Sequence, residues 1–179
     1  MKHLLRLATL VALYAIVHAP YLGAPLAQPA YAEGIAAVDP IVVQPPCDEA
    51  AFDTALLLIK ERAGGTIVFG CGGAATIAFS SVKTIDLPTI VDGAGQITLS
   101  GGNTTQLFQV NGGEELTLRG LTLTMGFSSG DGGAIANNGT LTVEDCAIQN
   151  SNAAGSGGAI VSYGPLTIRN SMLTGNRAA

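Results

Sequence analysis

Histidine is scarce and tryptophan is absent in this chain of 179 residues. The only histidines, His3 and His18, lie near the N-terminus, so the rest of the chain cannot form the usual Ser/His/Asp or Cys/His arrangements of nucleophilic enzymes. The three cysteines show no Cys-x-x-Cys spacing and have no histidine near them, so they do not make a zinc ligand set. We therefore expect no cofactor and no metal, and we assign no catalytic residue.

Large side chains and charges are also few. Aromatic residues make up 5% of the chain and charged residues 12%, whereas 24 residues are glycine. Bulky side chains for a large globular core are in short supply, while residues for tight turns are plentiful. The composition favours thin, regular layers, and the length suits a single domain.

The N-terminal segment has the features of a secretory signal. Lys2 and Arg6 precede an apolar run over residues 7–17, which is too short to span a bilayer comfortably. Ala30-Tyr31-Ala32 provides a small-x-small cleavage pattern. We predict a signal peptide over residues 1–32, cleaved after Ala32, and a secreted or cell-surface protein, extracellular or at an outer membrane. An uncleaved membrane anchor is the alternative.

The charge of the predicted mature chain limits its partners. Removing Lys2 and Arg6 with the signal leaves six basic and thirteen acidic residues, a net charge of −7. Such a chain is unsuited to neutralising phosphates, so nucleic acid is not an expected partner. No later apolar stretch is long enough to cross a membrane. Glycans or cell-surface proteins remain as the expected partners.

A repeat of 25 residues dominates the second half of the chain. The letters of 132–135, Gly-Gly-Ala-Ile, return at 157–160, and the block 139–143 returns as 164–168 with the same shift. Leu116-x-Leu118 sits one period earlier, and looser matches extend the pattern upstream. A fixed period is typical of stacked-repeat proteins. We predict about five coils over residues 66–179.

Apolar residues alternate within each unit, which is strand periodicity. Stepping by 25 residues aligns two inward apolar columns and one outward threonine column, which are Leu116/Leu141/Leu166, Leu118/Val143/Ile168 and Thr117/Thr142/Thr167. A unit of two or three short strands can bury its inner face only against the next unit. The sequence therefore predicts an all-β solenoid in which parallel strands of successive coils pair.

A helix is predicted before the repeats. Its apolar face has helical spacing, Asp48 suits the N-cap and Gly64-Gly65 suits the stop; the face consists of Phe52, Ala55, Leu56 and Ile59. We expect residues 33–47 to be a linker and residues 48–65 to form an α-helical cap on the open N-terminal end of the stack. No comparable cap follows the last repeat. The stack is then either incomplete or associates with itself through its C-terminal coil.

The repeat motifs resemble those of exported right-handed parallel β-helix proteins of bacteria, including the polymorphic outer membrane protein and adhesin group. Repeats of that group carry Gly-Gly-Ala-Ile followed by Phe-x-x-Asn. The first element stands at 132–135 and 157–160; Leu173-x-x-Asn176 matches the second in part, and Ile148-x-x-Ser151 departs from it. The resemblance implies a right-handed coil and a non-enzymatic, adhesin-like surface or binding protein.

An outward column of alternating charge is the candidate ligand-facing feature. Arg119, Glu144 and Arg169 are spaced by 25 residues, so opposite charges would face each other on neighbouring strands. The alternative function is a carbohydrate-active enzyme, because polysaccharide lyases of the β-helix architecture use acidic residues on adjacent coils with an arginine or lysine as base. Glu144 and Asp145 between the two arginines are the nearest approach to such a site.

The cysteines fall into two groups. Cys47 and Cys71 flank the predicted helix and first strand, and export to an oxidising compartment would allow a disulfide between them. Cys146 is in register with Leu121 and Ser171, which predicts a buried thiol in an inward column.

Overall fold

The structure is a computed structural model that describes residues 39–179. The predicted signal peptide (1–32), its cleavage after Ala32 and the first part of the predicted linker (33–38) lie outside the described residues. Among residues 39–179, no helix combines the length and the apolar character needed to cross a membrane.

Short strands make up most of the regular structure. In chain order the elements are β1 (Ile41–Val43), α1 (Glu49–Arg62), β2 (Gly65–Phe69), β3 (Ala75–Ala78), β4 (Lys83–Ile85), β5 (Thr89–Ser100), β6 (Phe108–Val110), β7 (Glu115–Thr124), β8 (Phe127–Ser128), β9 (Ile135–Asn137), β10 (Thr140–Glu144), β11 (Ala147–Gln149), β12 (Asn152–Ala153), β13 (Ile160–Ser162), β14 (Leu166–Arg169), β15 (Met172–Thr174) and β16 (Arg177–Ala178).

The strands pair in parallel in three sheets. The largest runs β1-β2-β5-β7-β10-β14, with β3 beside β5, β11 beside β7 and β15 beside β11. The second sheet is β4-β6-β9-β13 and the third is β8-β12-β16. The predicted all-β class is therefore confirmed, with every strand pair parallel.

The predicted columns are confirmed in the later repeats. Leu141 lies opposite Leu116 on one side and Leu166 on the other, and the second apolar column and the threonine column follow the same 25-residue register. Earlier the register slips, because Thr89 pairs with Leu116 while Ile97 pairs with Leu121. Val91, which pairs with Leu118, then occupies the buried column.

The core consists of the inward side chains of successive strands. The apolar residues of the two main columns are almost fully buried through Leu141 and Val143 and join one continuous cluster. Each strand covers the inner face of its neighbour at about 4.8 Å, so burial comes mainly from contacts between adjacent repeats.

Helix α1 forms where the sequence places its signals. The Asp48 carboxylate accepts a hydrogen bond from the Ala51 amide at 2.9 Å, which satisfies an unpaired donor of the first turn. Ala63 ends the helix in a left-handed conformation, and β2 already begins at Gly65, so the helix is shorter than the predicted 48–65. Three of the four residues predicted for the apolar face, Phe52, Ala55 and Ile59, are buried, and Leu56 is half-buried. Phe52 packs among three aromatic rings, Phe69, Phe79 and Phe108.

The predicted linker over residues 33–47 contains a strand. Ile41 and Val43 are buried, and β1 extends the main sheet by pairing with β2. The alternation in β1 covers only three residues, one exposed between two buried. A pattern this short cannot be distinguished in the sequence from a proline-rich connection. The boundary at residue 47 is therefore corrected: the sheet begins at Ile41.

The Gly-Gly-Ala-Ile motif marks a point of close backbone approach. Gly132 and Gly157 occupy equivalent positions with φ of 71° and 70°, which L side chains rarely adopt. A Cβ atom on Gly133 would collide with the carbonyl oxygen of Gly158. The Ala134 amide meanwhile donates to the Ala159 carbonyl at 2.8 Å. The two turns thus stack directly, and only glycine fits between them.

Candidate functional site

The predicted charge column lies on the outer face of the main sheet. Glu144 pairs in register with Arg119 and Arg169. The Arg119 Nε atom donates to Glu144 Oε2 at 3.1 Å, and Arg169 Nη1 lies 3.7 Å from Glu144 Oε1. Both arginines are exposed, so this pairing orders the side chains while adding little stability.

Asp92 extends the charge column, and the sequence analysis missed it. It lies opposite Arg119 in the pairing of β5 with β7, so four strands present alternating charges. Stepping back 25 residues from Arg119 reaches Ala94, because the register is shifted before the irregularity between Asp92 and Ile97. Aligning the buried Val91 with Leu118 would have found Asp92, since the residue of the charge column directly follows the buried residue on each strand.

A bend separates this face from the next set of strands. Gly120, Asp145 and Asn170 occupy the bend in successive repeats, and all three have a positive φ near 50°. Glycine, aspartate and asparagine are the residues that most readily adopt this left-handed conformation. A Cβ atom on Gly120 would come within 2.8 Å of the Gly95 amide nitrogen, so glycine is also required there for space.

The bends line an elongated surface groove, here called the corner groove. One depression of about 410 Å³ spans four repeats, with lining residues that include Gly95, Thr122, Asp145, Asn170 and Ser171. A second depression of about 340 Å³ adjoins it at residues 93–97 and extends to Gly72 and Gly73, with Asp92 and Gln96 on its walls. The groove therefore crosses the repeats along the direction in which they stack.

The corner groove combines hydrogen-bonding groups with apolar side chains such as Phe69, Leu121 and Met172. Carboxylate, amide and hydroxyl groups of Asp92, Gln96, Thr122, Asp145 and Asn170 line it, together with backbone of the glycine bends. Such groups can donate to and accept from the hydroxyls of a polar ligand. Within residues 39–179, no group of three or more His, Cys, Asp or Glu side chains is arranged to hold a metal ion.

The outward threonines lie on both sides of the bend. Thr117, Thr142 and Thr167 form the predicted column on the main sheet. A second column, Thr98 and Thr122, lies on the far side of the bend and continues as Ala147. Of these threonines, Thr122 lines the groove.

A disulfide lies at one end of the corner groove. Cys47 is bonded to Cys71, the partner considered from the sequence, and Cys71 lines the depression next to Gly72. The bond joins the segment before α1 to the turn after β2. It fixes that end of the groove wall to the helix.

Cys146 lies beneath the groove as a buried thiol. Its amide donates to Ser171 Oγ at 3.0 Å, and burial raises the pKa of the thiol above its usual value. A buried thiol with a raised pKa is a poor nucleophile, because the reactive form is the thiolate.

Ser128 and Asp131 have structural roles in the loops before the Gly-Gly-Ala-Ile motifs. Ser128, the central residue of a Gly-x-Ser-x-Gly match, accepts a hydrogen bond from the Gly130 amide within a turn. The Asp131 carboxylate accepts from the Ser156 amide at 2.6 Å and from the Tyr163 hydroxyl at 2.8 Å. These bonds lower the pKa of Asp131 and tie two successive loops together.

An ion cluster around the buried Lys83 connects α1 to the sheets. Lys83 is 3% exposed, and its Nζ atom lies 2.6 Å from Glu49 Oε1 and 2.7 Å from Asp53 Oδ1. Burial alone would raise the pKa of Glu49, but hydrogen bonds from Lys83 and Ser80 outweigh it and lower the pKa to about 2. The cluster lies away from the groove and holds the helix in place.

Comparisons with known proteins identify no relative. No protein-family model matches the chain, and no match was found among curated proteins or among solved structures.

Proposed function

We propose that the chain is a right-handed parallel β-helix with α1 as its N-terminal cap, of the kind found in exported bacterial repeat proteins. The exclusively parallel pairing and the 25-residue register of the later strands support this architecture. The position of α1 supports its role as a cap, since Phe52 on its buried face packs on aromatic rings from β2, β6 and the turn after β3, while Leu57 and Glu61 face solvent.

We further propose that the protein is a non-enzymatic, adhesin-like binding protein, and that an extended glycan lies in the corner groove. The observation that carries this proposal is a surface depression that crosses four repeats, with polar side chains from three of them in its lining. A chain of sugars presents hydroxyls at regular intervals, which suits a groove whose polar side chains recur from strand to strand. The charge column beside the groove then provides orientation through Arg119, Glu144 and Arg169.

Export to the cell surface is part of the same proposal. The Cys47–Cys71 disulfide is compatible with an oxidising compartment, where such bonds persist. The signal over residues 1–32 would direct the chain there.

Binding of the purified chain, residues 33–179, to an array of neutral and acidic glycans tests this function. Thr122→Trp places a bulky ring in the groove, and Gln109→Trp adds the same ring at a half-buried outward position on β6, in another sheet. We expect the first variant to weaken binding at least about tenfold and the second to bind like the parent chain. Equal binding by both variants, or no glycan bound by the parent, would exclude the groove as a glycan site.

A carbohydrate-active enzyme is the second candidate, favoured by the acidic residues Asp92, Glu144 and Asp145 beside two arginines. A reducing-sugar and unsaturated-product assay on acidic polysaccharides, with and without calcium, separates the two functions. Turnover that is lost in Glu144→Gln and Arg169→Ala would identify a lyase or hydrolase. Binding without turnover supports the adhesin-like function.

A further inference from the structure

The lining of the corner groove carries negative charge only. The carboxylates of Asp92 and Asp145 line it, whereas no lysine or arginine among the described residues lines either depression. Asp92 is half-buried and Asp145 is exposed, so solvent reaches both side chains. The sign of this charge bears on which kind of glycan the groove would hold.

The two arginines beside the groove are engaged by a third acid. Arg119 lies opposite both Asp92 and Glu144 in register. Its Nε atom donates to Glu144 Oε2 at 3.1 Å, and Arg169 Nη1 lies 3.7 Å from Oε1 of the same carboxylate. Among residues 39–179, the ion pairs include neither Asp92 nor Asp145. Glu144 thus takes up both arginines and leaves the two carboxylates of the groove without a cationic partner.

Both carboxylates are held in place and open to a ligand. Asp92 Oδ1 accepts a hydrogen bond from the Ala94 amide at 2.9 Å, which orients the side chain. Asp145 occupies the bend of its repeat, where its positive φ fixes the backbone and its side chain is exposed. An ionised carboxylate accepts hydrogen bonds and does not donate them, and its strongest bonds are those from positively charged donors.

The two carboxylates lie at separate places along the groove. The strand of Asp92 pairs with that of Arg119, which pairs with that of Glu144, and Asp145 directly follows Glu144. Two strand spacings of about 4.8 Å therefore separate them by roughly 10 Å along the stacking direction. At this separation they serve as successive contacts for an extended chain, and not as one cluster around a single ion.

We propose that the corner groove selects glycans that carry positively charged amino groups, that is, chains of amino sugars with free amines. This inference rests on the glycan-binding function proposed above and names the class of glycan. An ammonium group donates charge-assisted hydrogen bonds to a carboxylate. A chain of uronic acids would instead bring like charge to Asp92 and Asp145, in a protein whose predicted mature chain has a net charge of −7. Neutral glycans would bind through hydroxyl contacts alone.

Three oligosaccharides of equal length test the preference by isothermal titration calorimetry on the parent chain. The probes are a hexamer of glucosamine, the same hexamer with every amine acetylated, and a hexamer of galacturonic acid. We expect the glucosamine hexamer to bind about tenfold more tightly than its acetylated form, and the galacturonic acid hexamer to bind most weakly. Raising NaCl from about 50 mM to about 0.5 M should reduce the difference, because exposed charges are screened.

The double variant Asp92→Asn, Asp145→Asn removes the charge of the groove and keeps its shape. Asparagine retains an oxygen that can accept from the Ala94 amide, and asparagine already occupies the bend one repeat later, at Asn170. We expect this variant to bind the glucosamine hexamer about tenfold more weakly than the parent does, and to bind the acetylated hexamer with unchanged affinity.

The matched control is Glu61→Gln, Glu115→Gln, which removes the same charge from two exposed residues that do not line the groove. We expect it to bind all three hexamers as the parent does. An equal loss in both double variants would overturn the assignment to Asp92 and Asp145. Equal affinity for the glucosamine and acetylated hexamers, or tightest binding of galacturonic acid, would overturn the charge preference and leave the glycan function standing. Binding of none of the three hexamers would overturn both.

Discussion

The Cys47–Cys71 disulfide allows a quantitative prediction, because its effect on the unfolded chain depends on the length of the loop that it closes. The two cysteines are separated by 24 positions. Closing a loop of that length removes entropy from the unfolded chain worth about 3.5 kcal/mol at 25 °C. The loop contains α1 and β2, so both elements lose this advantage when the bond is absent.

We expect the double variant Cys47→Ser, Cys71→Ser to unfold at a urea concentration lower by roughly 1.5 to 2 M, given a denaturant slope of about 2 kcal/mol per M. Circular dichroism followed through a urea titration, with and without a reducing agent, measures this shift. The reductant should destabilise the parent chain to the level of the double variant and should not affect the double variant itself. Cys146→Ser is the control, because Cys146 is a free thiol and the equivalent residue one repeat later is Ser171.

Unfolding of the oxidised and reduced parent chains within about 0.5 M urea of each other would contradict a stabilisation of this size. That outcome would mean that the unfolded chain is already restricted between residues 47 and 71, or that the native bond is strained enough to cancel the entropy gain. Equal sensitivity of the double variant to reductant would place the redox effect elsewhere.

Three further predictions concern single side chains. Glu49→Gln should lower the free energy of unfolding by about 1 to 2 kcal/mol at pH 7, which is less than the full value of the Glu49 pKa shift because the carboxylate is partly exposed. Since the pKa of Glu49 is lowered in the folded chain, the difference in stability between variant and parent should persist above pH 4.5 and vanish as the pH falls to 2. Urea titrations at several pH values measure this difference, and a difference that stayed constant with pH would contradict the prediction. Leu118→Ala should lower the free energy of unfolding by about 3 to 5 kcal/mol, because it leaves a cavity in the core. Leu173→Ala should lower it by under about 1 kcal/mol, because Leu173 is half exposed. Similar urea unfolding midpoints for the two variants would contradict this difference. Cys146 should resist iodoacetamide at pH 8 in the native protein and react in urea, because burial raises the pKa of its thiol; rapid native labelling detected by mass spectrometry would show otherwise.

The sequence was most informative where the repeat has a constant length. Between Leu116 and Thr174 each turn of the pattern has the same number of residues, so letters 25 apart are neighbours in space. Upstream, four residues lie between Asp92 and Ile97 where Gly120 alone separates Arg119 from Leu121. A bend can lengthen without disturbing the strands on either side, and this hid Asp92 from a fixed period.

The corner groove was not predicted, although part of its signal is visible. Gly120, Asp145 and Asn170 recur every 25 residues, and each belongs to a residue type that tolerates the left-handed conformation. From the sequence, only Asp145 of this row was considered, as part of the nearest approach to a lyase site. Its geometric meaning, a bend in each repeat that lines a groove, requires knowing that the strands on both sides of the bend stack in register.

The constant register of the later repeats has a consequence for how the length of this protein can change. Asn138 precedes Gly139, and Gly164 occupies the equivalent position one repeat later. Removing residues 139–163 would join Asn138 to Gly164 and bring β14 and β15 beside β7 with every column intact. Duplication of the same segment would add one layer with equal ease. The chain can therefore gain or lose length in whole layers, and each layer would lengthen or shorten the groove by one strand spacing.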